Sequence, residues 1–86
     1  MPYINRIRRS DLELITKANV EIETVGELNY LMTCLAVKFL KKHGVSYTTL
    51  NAIDGVFGCA QKELYRRVVV PYEERKRAEN GDVYDI

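Results

Sequence analysis

The chain has no tryptophan, two cysteines, two prolines, one histidine and two serines among 86 residues. Each scarcity closes a class of chemistry. Cys34 and Cys59 lie far apart without CxxC spacing, so neither a disulfide framework nor a zinc knuckle is expected. Both sit in apolar helical patterns and read as buried thiols of a reducing compartment. One histidine leaves little for a Ser–His or Cys–His mechanism. His43 closes a lysine-rich helix end, and Ser10 and Ser46 both stand at capping positions. No metal-ligand spacing occurs. Thr24-Val25-Gly26-Glu27 holds one glycine beside an acid, a poor phosphate cradle. The longest apolar stretches are too short to span a membrane. Met1-Pro2-Tyr3 leads into arginines, so no apolar leader segment is expected.

What is present suits a small globular domain. Hydrophobic residues make up 47% of the chain, too many for compositional disorder. A domain this small buries only roughly 60% of its unfolded surface and is marginal alone, which favours self-association. The net charge of +1 conceals segregation. Residues 1–10 are basic through Arg6, Arg8 and Arg9. Residues 11–30 are net acidic, 31–67 net basic, and the tail from Val68 net acidic again. Alternating blocks argue against general nucleic-acid coating and favour self-complementarity or one local anion site.

Periodicity reads as helices throughout. Ser10-Asp11-Leu12-Glu13 has the form of a capping box, so helix 1 is expected from Ser10, or slightly earlier with the arginines, to near Ile22. Thr24 to Glu27 forms a second box. A wide apolar stripe through Leu28, Leu31, Leu35 and Phe39 then predicts helix 2 over 25–43, with Gly44 at its C′ position. Ser46 or Thr48 caps helix 3. Its seam of Leu50, Ile53, Phe57, Ala60, Leu64 and Val68 resembles a coiled-coil repeat. Gly55, Cys59, Val69 and Val70, along with Lys62 and Arg66, make a second face, expected to meet another subunit. Pro71 either kinks one long helix or opens a fourth. Glu73 and Arg77 are at i,i+4 spacing. Asn80-Gly81 ends the last helix, and residues 82–86 read as a short extended tail. The expected fold is a single all-α domain over 1–86, a small bundle of three to four helices oligomerising through the long third one.

The stretch Tyr65-Arg66-Arg67-Val68-Val69-Val70-Pro71-Tyr72 concentrates the recognition chemistry. Guanidinium forks take phosphates and tyrosine rings stack on bases. On an α-helical wheel Tyr65 and Arg67 flank the seam on opposite sides and Arg66 points away. One helix therefore does not focus them on one ligand, whereas copies across a symmetric interface can. The candidate ligand residues are Tyr65, Arg66, Arg67 and Tyr72, with Arg8 and Arg9 from the basic N-terminus. The ordinary alternative is that the arginines pair with acids of helix 1 or of the tail. An enzyme would need Asp54, Glu63 or Asp82 clustered near them.

Several motifs occur in order: Gly26-Glu27-Leu28-Asn29-Tyr30, then Tyr47 with Leu50-Asn51, Ile53 and Gly55-Val56, then Glu63 with Tyr65-Arg66-Arg67-Val68-Val69, Pro71-Tyr72-Glu73, and Glu79-Asn80-Gly81-Asp82-Val83-Tyr84. With the opening Met1-Pro2-Tyr3-Ile4, they resemble a family of small proteins of tailed bacteriophages and prophages, named only as a domain of unknown function. Gly58 and Val70 depart from that pattern, where a Glu and an Ala are expected. The resemblance covers nearly the whole chain. It implies a phage protein acting in the bacterial cytoplasm and transfers no catalytic residue or cofactor. The resulting expectation is a non-enzymatic binder, an oligomer sequestering a cyclic-nucleotide-like signal of host defence. The alternative is a module that binds and blocks a host or virion protein, using the second face of helix 3 and the tail.

Overall fold

The computed structural model describes residues 2–86, and these are all-helical, with no strand among them. Met1 of the opening motif lies outside the described residues. The elements are α1 (Arg6–Thr16), α2 (Val25–His43), α3 (Tyr47–Leu64), a π-helical turn (Tyr65–Val69) and α4 (Val70–Asn80). The last three run on without interruption, so Tyr47 to Asn80 is one helical rod.

Caps decide where each helix begins. Helix α1 starts earlier than the Ser10 box indicates. Asn5 is its N-cap, with Oδ1 accepting from the Ile7 N–H at 2.9 Å. Ser10 lies inside the helix, and Arg8 pairs with Asp11 across the same turn at 3.1 Å. The helix also stops early, at Thr16 rather than near Ile22, and Val20 closes a tight turn onto the Ala18 carbonyl. Short helices draw most of their stability from packing on an apolar face, and no other element packs on α1.

Helix α2 has the bounds expected. Thr24 Oγ1 accepts from the Glu27 N–H, while Glu27 reaches back to the N–H of Glu23 rather than that of the cap residue. Gly44 ends it at φ 85°, a backbone conformation that a side chain would strain. Ser46, not Thr48, caps α3. Its hydroxyl accepts from the Thr49 N–H, and Thr49 Oγ1 accepts from the Ser46 N–H and donates to the Gly44 carbonyl at 2.7 Å. The α2–α3 corner is thus fixed by a closed set of hydrogen bonds. Gly81, at φ 93°, ends α4, and residues 81–86 follow without regular structure.

Beyond that corner α2 and α3 diverge, and the protomer does not close on itself. None of the described residues is buried, and Leu35, Phe39 and Phe57 remain 49%, 43% and 39% exposed. The radius of gyration is 17.2 Å, against about 12 Å for a compact domain of this length. The accessible surface is 8257 Å², against roughly 5,200 Å² for a folded monomer of this mass. The compact domain expected from the seam is therefore absent from the single chain. Cys34 and Cys59 are free and exposed rather than buried, because no second layer covers their faces.

Candidate functional site

The π turn coincides with the segment that concentrates recognition chemistry. Its cause is local. Pro71 has no N–H to give the Arg67 carbonyl, and its ring would clash with that carbonyl in an α-helix. The chain widens by one residue instead, and the Val70 N–H bonds the Tyr65 carbonyl five residues back. Pro71 does not break the rod; it stands in the first turn of α4, the fourth helix that the sequence allowed, and α4 follows the π turn without a gap. An extra residue in one turn rotates everything beyond it by about 100° relative to an unbroken α-helix. The α-helical wheel therefore does not describe how Tyr65, Arg66, Arg67 and Tyr72 are disposed.

The last turn of α3, just ahead of the π turn, anchors the N-terminal segment. Tyr3, sixty positions away, donates its phenol hydrogen to Glu63 Oε2 at 2.6 Å. The same carboxylate takes a two-pronged contact from Arg66, Nε to Oε1 at 3.0 Å and Nη2 to Oε2 at 3.2 Å. Glu63 is 20% exposed, the most sheltered member of the ion pairs. The Tyr3 hydrogen bond, then the Arg66 contact, hold its carboxyl below the usual carboxylate range. The Glu63 carboxylate in turn pushes the Tyr3 phenol above 10.0, and the charges of Arg66 and Arg67 act on both groups.

The six expected ligand residues do not converge within one chain. Arg66 is committed to Glu63 on its own helix, not to the acids of α1 or the tail. Arg8 pairs with Asp11, and Arg9 Nε donates to the Ile4 carbonyl at 2.8 Å. Tyr72 lies beneath Arg75 and Lys76, with 5.7 and 5.6 Å from cation to ring centre. Tyr65 is open at 57% exposure, and Arg67 has no ion pair among the described residues. Arg77 pairs with Glu74 rather than Glu73. Tyr3 and Glu63 are the participants that residue patterns did not single out as a pair. A contact across sixty positions leaves no spacing signal, and only their presence in the recurring motifs marks them. His43 stacks on Phe39 at 4.3 Å. No described helix is long and apolar enough to cross a membrane.

The strap formed by Tyr3, Glu63 and Arg66 is expected to depend on pH at both ends. The lowered Glu63 pKa means that its contribution is present above the ordinary carboxylate value and fades as pH falls through the lowered one. The raised Tyr3 pKa means that its contribution is present below 10.0 and fades as pH rises through the higher value. Ring resonances of Tyr3 followed by NMR should titrate above an ordinary tyrosine and return toward it in Glu63→Gln. Ordinary titration of Tyr3 in the unaltered chain would show that the strap does not form.

No curated protein and no solved structure shows significant similarity to the chain. Among protein families, the one described as "Domain of unknown function (DUF6899)" matches residues 1–83. That span takes in α1, the capped α2–α3 corner, the π turn and α4, and the chain belongs to the DUF6899 family.

Proposed function

We propose that this is a non-enzymatic binding protein whose working form is a homo-oligomer, holding a phosphorylated, nucleotide-like ligand between subunits. One observation carries the reading: a chain with 47% hydrophobic residues leaves all of its described side chains unburied. The excess of roughly 3,000 Å² over a compact monomer is comparable to what obligate assemblies cover. Helices that splay in one chain complete their bundle with those of another. The ligand part rests on Arg67, which has no ion pair among the described residues, and the exposed ring of Tyr65, both on a π turn, a local form frequent at functional sites. Arginine would fork onto phosphate and tyrosine would stack on the base. The sequestered signal would be a cyclic nucleotide of host defence, met in the cytoplasm of a phage-infected bacterium.

Calorimetry with cyclic di- and trinucleotides and ADP-ribose derivatives tests the ligand. Binding is expected in the assembled protein, and Arg67→Ala should weaken it by about 1.5–3 kcal/mol, the worth of a hydrogen bond to a charged group. Silence across the panel would overturn the ligand and leave the assembly standing. A second reading, a module that occupies a host or virion protein, is favoured by the exposed apolar side chains of the tail, Val83, Tyr84 and Ile86. A stoichiometric partner recovered from host lysate, and lost when residues 82–86 are removed, would select it.

A further inference from the structure

An apolar groove of about 350 Å³ lies between the diverging arms of α2 and α3. Its walls are Met32, Leu35 and Phe39 on α2 and Ile53 and Phe57 on α3. Its floor is alanine, with Ala36, Ala52 and Ala60 leaving room for large side chains from outside. On each helix these positions recur at spacings of three and four, which is the face a bundle helix turns to its core. Two such faces ordinarily close on each other at 8–10 Å. Here they stand apart around empty space, so the layer that fits between them is another helix pair of the same kind.

The geometry points to a second copy of this chain as the occupant: two α2–α3 pairs interleave about a two-fold axis, groove into groove, as a four-helix bundle. This rests on the oligomeric reading above and says which surface makes the oligomer. The α2 arm, about 28 Å, matches the α3 part of the rod, about 27 Å, and the π turn and α4 extend past the paired region. Charge favours a copy over a foreign protein. The chain is acidic at the start of α2, through Glu27 and through Glu23 just before its N-cap, and basic toward its end, through Lys38, Lys41 and Lys42. Two antiparallel copies of α2 set the acidic end of each beside the basic end of the other. A two-fold interface requires such self-complementarity, since each contact occurs twice. The interface thus moves from the second face of α3, where residue patterns placed it, to the seam itself.

The test uses the full chain carrying Cys34→Ser and Cys59→Ser, with one new thiol at a time. Val56→Cys lies in the groove, and Lys62→Cys lies on the far side of α3. Mass is measured by light scattering, and thiol reactivity with a bulky maleimide. The expected result is a dimer, or a multiple of two, in which Val56→Cys reacts roughly a hundredfold slower than Lys62→Cys, at a rate set by local opening. An even oligomer with both thiols equally reactive overturns the groove pairing and leaves the oligomer. An odd oligomer overturns the two-fold arrangement. A monomer overturns both readings: with Val56→Cys reactive the groove awaits a different protein, and with it protected a segment of the same chain covers it.

Discussion

Replacing Phe57 by aspartate is expected to abolish assembly and, with it, most of the helical circular dichroism. Phe57 stands on the groove wall and is 39% exposed in the single chain. Closing the groove around a second copy would remove that remainder from water. An unpaired carboxylate in the closed layer costs several kcal/mol, and it is met twice in a two-fold dimer. The stability of a whole domain is only about 5–15 kcal/mol. No described residue of the single chain is buried, so dissociation and unfolding are expected together, at a midpoint that depends on protein concentration. Lys62→Asp, on the opposite side of α3, is the control and should shift stability by about 0.5 kcal/mol or less. Sedimentation and circular dichroism over a concentration series decide it. Retention of both mass and helicity in Phe57→Asp would mean that the groove faces water in the working molecule.

The second large effect is expected from Pro71→Ala. Alanine restores the N–H that the Arg67 carbonyl lacks and removes the ring that prevents α-helical closure. The π turn then has no local cause, and Tyr65–Val69 should contract to α-helix. Proline is about 3 kcal/mol less favourable than alanine inside a helix, and the wide turn already relieves part of that. A net gain of about 1–2 kcal/mol in thermal or denaturant unfolding is therefore expected. The functional effect should be opposite in sign. Contraction rotates α4 by about 100° relative to α3, carrying Tyr72 away from its present relation to Tyr65 and Arg67. A ligand shared between subunits through those residues should be lost although the protein is more stable. If amide exchange and NMR show the π turn intact in Pro71→Ala, the crowding of Val68, Val69 and Val70 holds it instead.

Helix placement was legible where caps and stripe agree. Thr24, Gly44 and Gly81 stand at the expected ends because their hydrogen bonds or backbone angles are local matters. Helix α1 begins with the arginines, the earlier of the two starts expected, and was misplaced only at its end. Asn5 offered a cap ahead of Ser10, and the apolar positions Ala18 and Ile22 met no surface that would extend the helix. The candidate site was legible only as a composition. Residue types marked Tyr65, Arg66 and Arg67, but the wheel assumed an α-helical phase that Pro71 abolishes. Arg66 was spoken for by Glu63, three residues earlier on its own helix.

The sequence by itself determined that this chain is helical, where α2 and α3 begin, and that it carries more apolar surface than one small protomer hides. These follow from propensity, capping and periodicity, which act over a few residues. Only the tertiary structure decided that α2 and α3 splay from a hydrogen-bonded corner, that Tyr3 straps the N-terminus to Glu63, and that the rod passes Pro71 through a π turn. The first two join segments through angles and long-range contacts that periodicity does not encode. The third depends on which backbone hydrogen bond replaces the one that proline removes.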